Sequence, residues 1–244
     1  MTSPAFAELL AEGGPVVLLS VGSVEPHGPH LPLGTDTIIS EAASARAAEL
    51  LEARGLRSVI APPVPYGVTE FARGFPGAMG ISPATLTALL VDVVRGMLAA
   101  GARHVCLVNN HLEPAHDQAI RAVTPSFDTR SVSVACPLTR RHARTLSAEF
   151  KSGACHAGRY ETSIVLAAEP ALVAEEARAA LVEVPISLSE GIKAGKDSFK
   201  DMGMTAAYSG TPAAATSDHG EEQLALLAAM IVTEVTEALE ASAR

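Results

Sequence analysis

The short apolar run at residues 15–22, PVVLLSVG, constrains the fold more than any other feature. It does not alternate between apolar and polar positions, so it has no face to give to water. A run of this length and character, ending in Gly, suits a strand buried on both faces, and such strands belong to parallel sheets covered by helices. Three further runs, at 57–61, 104–109 and 131–136, read as strands as well. Between them, apolar residues recur three or four apart. Helices are predicted over 37–55, with Gly55 as the stop, over 83–101, with Ser82 as N-cap and Pro83 in the first turn, and from 114 to about 123. Residues 160–168 and 218–241 read as two more helices. Strands alternating with helices predict a three-layer α/β/α sandwich with a mainly parallel sheet, and residues 1–244 are read as one domain.

In such sheets ligands bind beyond the carboxyl ends of the strands. Two loops leaving predicted strands there are rich in Glu, His and Asp. After the first strand comes GSVEPHGPHLPLGTD, which carries Glu25, His27 and His30 and reaches Asp36 at the start of the next helix. Residues two apart on an extended chain point to the same side, so Glu25 and His27 share a face. The loop after the 104–109 strand repeats the device with His111 and Glu113. Together the loops offer two imidazoles and three carboxylates. That is too many for one tetrahedral site and enough for two divalent cations sharing a carboxylate. A single His-x-Glu pair at a strand end is as readily a cap or a surface polar pair; two such pairs at one end of one sheet favour metal. A third segment, HAGRYETS at 156–163, adds His156, an imidazole suited to move protons near neutral pH, and Glu161. Glu161 either orients that imidazole, binds substrate, completes a metal shell, or simply complements the helix dipole.

These segments together resemble the creatininase family (creatinine amidohydrolases and relatives). Residues 22–36 match the family pattern GS-x-E-x-HGPHLPLGTD almost throughout, residues 111–113 match its His-x-Glu form, and residues 156–163 match HAG-x-x-ETS. Weaker echoes lie at 74–77 and 210–220. The resemblance implies the creatininase-like α/β/α sandwich, assembly as a homo-oligomer, often a hexamer in that family, and two Zn²⁺ or Mn²⁺ ions per chain. Residue by residue it implies that Glu25 and His111 hold one metal, that His27 and Glu113 hold the other, that Asp36 bridges them, and that His156 is the general acid/base. The implied reaction is metal-dependent hydrolysis of a C–N bond in a small cyclic or linear amide. The family's creatinine pocket resembles one gated by Trp, and this chain contains no Trp, so a substrate other than creatinine is expected. Pro114 also stands where the family commonly has Asn.

Thr69, in the Gly/Pro-rich stretch 62–82, and Leu112 are expected to contact substrate, and His30 to stand behind the ligands or serve structure. Alternatives that keep the same site are a deformylase or a small-peptide hydrolase. Two that discard its chemistry are a non-catalytic metal-binding scaffold and a thiol hydrolase built on Cys155. The Gly-containing stretch 187–215, with Lys193, Lys196 and Lys200, is either a lid or a solvated charge run. A net charge of −9 argues against nucleic acid and, more weakly, against an anionic membrane surface. Three Cys in no paired spacing, with no signal pattern or bilayer-length apolar run, lead to the expectation of a cytoplasmic protein.

Overall fold

The computed structural model describes residues 1–241. Its centre is a four-stranded parallel sheet of order β2-β1-β3-β4. The elements run α1 (Ser3–Ala11), β1 (Val16–Val21), α2 (Thr35–Glu52), β2 (Ser58–Ile60), α3 (Pro83–Ala99), β3 (His104–Asn109), α4 (Pro114–Arg121) and β4 (Val132–Ala135). Four short helices and two longer ones follow: α5 (Arg140–Ala143), α6 (Ala148–Ser152), α7 (Arg159–Ala168), α8 (Glu175–Ala179), α9 (Leu188–Lys193) and α10 (Ser217–Glu240).

The apolar runs become strands because each supplies both faces of the sheet with hydrophobic side chains. Val16, Leu18, Cys106 and Val108 pack with α2, α7 and α10 on one face. Their neighbours Val17, Leu19, Val105 and Leu107 pack with α3 and α4 on the other. The three layers expected from the sequence are therefore present. The side chains of β1 and β3 are buried along their whole length, as strands covered on both faces require. Ser82 caps α3 by accepting from the Thr85 N–H, and Pro83 follows it at the first turn.

The strand order places the site. From β1 the chain crosses to β2 on one side, then returns by α3 to β3 on the other side of β1. The loops leaving β1 and β3 diverge at this reversal and open a crevice at the carboxyl end of the sheet. Gly22 lets the β1 loop leave close against Thr37 of α2, where a Cβ would collide with the Thr37 backbone. Gly28 turns the loop with φ +64 between His27 and Pro29.

Candidate active site

Asp36, the second residue of α2, is 1% exposed and lies between two imidazoles. One of its oxygens is 3.3 Å from His27 Nε2 and the other 3.1 Å from His111 Nδ1. Glu25 Oε1 lies 3.4 Å from the same His111 nitrogen. Glu161, on the first turn of α7, puts Oε2 3.5 Å from His27 Nε2. The loops after β1 and β3 and the start of α7 thus meet around one carboxylate.

Each imidazole is oriented by a backbone carbonyl. His27 Nδ1 is 3.1 Å from the Glu25 carbonyl oxygen, His111 Nε2 is 2.7 Å from that of Val68, and His156 Nε2 is 3.1 Å from that of Pro26. A ring N–H donating to a carbonyl leaves the other nitrogen with its lone pair turned toward the carboxylates, the arrangement in which histidines bind metals. The carboxylates are anchored too. Glu25 Oε2 accepts the Thr69 hydroxyl. Glu161 Oε2 accepts the Ala157 N–H at 2.7 Å, and Ala157 adopts φ +49 to offer it. Glu113 accepts the Glu70 and Phe71 N–H groups, each at 3.1 Å.

So much buried anionic charge attracts positive charge. Burial opposes ionisation of Glu25, but the adjacent His111 outweighs it and holds the carboxyl at about 2. Burial likewise opposes charge on His27, yet Asp36, Glu161 and Glu25 push it up to about 10. Glu161 is itself pushed up to about 8, by burial against the pull of His27. The donor set fits a divalent cation: hard oxygens and imidazole nitrogens, with His27 Nε2 and Asp36 Oδ2 buried and making no hydrogen bond. Among the described residues, potential ligand atoms gather as Glu25–His111–Glu113, as His27–Asp36–Glu161 and as Glu25–His27–His156.

Every residue expected to ligate or to catalyse lies in this cluster, in a grouping of its own. The resemblance pairs His27 with Glu113; the structure sets Glu161 beside His27 and brings Glu113 nearest the outer nitrogen of His111, at 4.0 Å. Leu112 lines the cavity over the cluster. Thr69 is buried behind Glu25 and engages it through its hydroxyl, away from the cavity lining. His30 bonds Thr162 at 2.8 Å and so ties the β1 loop to the helix that carries Glu161.

Phe71 and Phe199 also line the cavity, and neither was singled out in the sequence. Phe199 stacks on His156 with ring centroids 4.4 Å apart. The signal for it was a lone aromatic residue in the polar stretch 196–201, and in the fold it is only 4% exposed. The 187–215 stretch is packed against the 62–82 loop: Phe199 and Met204 meet Ala72 and Phe71, and Lys200 Nζ donates to the Gly74 carbonyl at 2.5 Å.

A carboxylate–imidazole cluster in the crevice of this sheet makes a candidate metal centre on an α/β/α sandwich. The comparisons with known proteins give the family. The family model for creatininase, described as creatinine amidohydrolase, matches residues 1–235, and the chain belongs to that family. It is similar to the mycofactocin precursor peptide peptidase of Mycolicibacterium smegmatis, 36% identical over 160 residues that make up 64% of this chain and 59% of that protein. The alignment thus spans less than two thirds of that relative's length. The mycofactocin precursor peptide peptidase of Mycobacterium tuberculosis H37Rv is 29% identical over 237 residues, 93% of this chain and 86% of that protein. A solved structure described as creatininase with Mn superposes with a TM-score of 0.72 at 21% identity, covering 99% of this chain and 97% of its own. That match shows the fold. Among the described residues, no helix is long and apolar enough to cross a membrane.

Proposed function

We propose that this protein is a two-metal amidohydrolase that cleaves an amide C–N bond in a small peptide or peptide-derived substrate. The observation that carries the reading is the position of Asp36, whose two oxygens face the inward nitrogens of His27 and His111. A carboxylate so placed would be available to two cations, one on each side. Glu25 and His111 would help hold the first, and His27 and Glu161 the second. Glu113 lines the cavity at the edge of the first set, with two of its lone pairs taken by backbone N–H groups.

When bound, divalent cations in such a set acidify water and polarise a carbonyl near neutral pH. The residues supply the rest. Val68, Glu25 and Pro26 fix the imidazoles through their carbonyls, so the ligand geometry is set before substrate arrives. His156 turns Nδ1 toward the cluster, 3.7 Å from Glu25 Oε1, and is placed to pass a proton to the leaving nitrogen. Phe199 and Phe71 wall off bulk water on the apolar side. The balanced reaction is addition of one water across the C–N bond, giving a carboxylic acid and an amine.

The peptide-like substrate is favoured over creatinine on two grounds. The relatives named above are peptide peptidases, and the chain has no Trp. Zn²⁺ and Mn²⁺ both suit the donors. Three free, buried cysteines fit a cytoplasmic protein, and the family likeness favours a homo-oligomer, which size-exclusion chromatography would measure.

The test is elemental analysis of purified protein beside His111→Ala, followed by mass-spectrometric screening of peptides, lactams, formamides and creatinine. About two equivalents of Zn or Mn per chain, reduced in the variant, with peptide hydrolysis lost on chelation, is the expected result. Folded protein that takes up neither metal would overturn the reading and leave a scaffold or thiol role.

A further inference from the structure

The cavity over the metal-ligand cluster continues past it. Leu112, Pro114, Leu188 and Ile192 line both that cavity and a neighbouring groove of about 340 Å³. The floor of the groove is apolar, lined by Phe150 of α6 and by Leu188 and Ile192 of α9. Its border is cationic, with Arg140, Arg144 and Lys151 around it. Among the described residues none of these three side chains pairs with a carboxylate. Arg141, next to Arg140, is by contrast held by Glu234 and Glu237 at 2.6 and 2.7 Å. Three uncompensated cations on one groove reverse the sign of a chain whose net charge is −9.

We propose that this groove holds the part of a peptide substrate that extends away from the scissile amide, with an apolar side chain on the Phe150–Ile192 floor and a carboxylate against Arg140, Arg144 and Lys151. The proposal rests on the amide-hydrolase reading for the position of the cleaved bond. Size supports it, since a groove of this volume lies within the range of small-ligand pockets, about 300–1,000 Å³, at its lower end, and takes a short stretch of peptide. Charge supports it independently. Guanidinium groups match the planar fork of a carboxylate, and the carboxylates of the catalytic cluster repel the same group at the other end. The two fields therefore fix the direction in which an acidic peptide lies. The carboxylate comes either from the substrate's C-terminus or from an acidic side chain.

Four dansyl-labelled, Leu-rich pentapeptides test this, with the C-terminus free or amidated and one internal residue Glu or Gln. Fluorescence anisotropy would give Kd for each against zinc-loaded protein and against protein stripped with EDTA. The carboxylate-bearing probes are expected to bind about tenfold more tightly than the fully neutral one, and the arm that carries the preference identifies the source. The double variant R140E/R144E, changed at exposed positions, should abolish the preference, while I192D should weaken all four probes. Equal Kd values for the four probes, or a preference that survives R140E/R144E, would overturn the groove assignment. Because the groove lies outside the ligand cluster, its charge preference should persist after EDTA. Preference without metal uptake or hydrolysis in any condition would sink the hydrolase reading alone; metal-dependent hydrolysis without preference would sink the groove alone.

Discussion

Nε2 of His27 lies 3.5 Å from Oε2 of Glu161, which joins the loop after β1 to the first turn of α7. The contact makes Glu161 part of the donor set around Asp36, where sequence alone left its role open. Glu161→Gln keeps the shape and the Ala157 hydrogen bond but removes the charge. It is expected to lower affinity for one of two bound cations about 10–100-fold, so that elemental analysis after dialysis finds about one equivalent per chain. Glu113→Gln should retain more metal, because Glu113 faces backbone amides and the outer nitrogen of His111. Equal metal content in Glu161→Gln and wild type would remove Glu161 from the site.

Thr69 is a positioning residue for Glu25. Its hydroxyl donates to Oε2 and leaves Oε1 facing His111. Thr69→Val preserves volume and deletes the donor. The loss should cost about 1.5–3 kcal/mol of stability, the range for a hydrogen bond to a charged group, and weaken metal binding about tenfold. Thr69→Ser should restore both. Calorimetry and metal titration would measure them, and a Thr69→Val protein with wild-type metal affinity but raised KM would make Thr69 a substrate contact instead.

Much of this was legible in the chain because the signals were local. The four apolar runs became the four strands, and the helix starting at Pro83 begins where Ser82 and Pro83 place it. Glu25, His27, Asp36, His111 and Glu113 sit at strand ends or a helix start, where spacing in sequence nearly determines direction in space. What escaped depended on tertiary contact. Nothing near Glu161 in sequence reports that α7 docks on the β1 loop through His30 and Thr162. Nor could Phe199 be seen to stack on His156, because the Gly-containing 187–215 stretch has little regular structure and takes its shape from the 62–82 loop. Short helices such as α5, α6 and α9 carry too few residues to show a period.

His104 gives a pH dependence outside the site. It is fully buried in β3, with Nδ1 2.8 Å from the Arg130 carbonyl oxygen and Nε2 2.8 Å from Ser133 Oγ. Burial lowers its pKa below the ordinary value, and Arg103 adds to the effect. The folded protein therefore binds fewer protons here than the unfolded chain. The contribution of this group is fully present above the unfolded pKa of about 6.5 and is lost as pH falls toward the folded value, at up to about 1.4 kcal/mol per pH unit. Denaturant titrations between pH 7 and pH 5 should show wild type losing stability more steeply than His104→Gln. Parallel slopes for the two proteins would show that His104 does not contribute.

Cys155, beside His156, decides between metal and thiol chemistry. Its side chain is 5% exposed, and burial raises the thiol well above its ordinary pKa, with the carboxylates of Glu161 and Glu149 adding to the rise. A nucleophilic cysteine needs the reverse, a thiolate favoured by nearby positive charge and open to substrate. Cys106 and Cys136 are buried as deeply, and burial pushes the Cys106 thiol up to about 12 and raises that of Cys136 as well. Iodoacetamide should therefore react slowly with the folded protein. Cys155→Ala should keep most of its kcat, since it removes one sulfur from a packed site and no participant in the reaction. Chelation should abolish turnover in both proteins, and added Zn²⁺ or Mn²⁺ should restore it. Rapid alkylation of Cys155 that stops turnover, with chelators having no effect, would replace the two-metal mechanism by a thiol one.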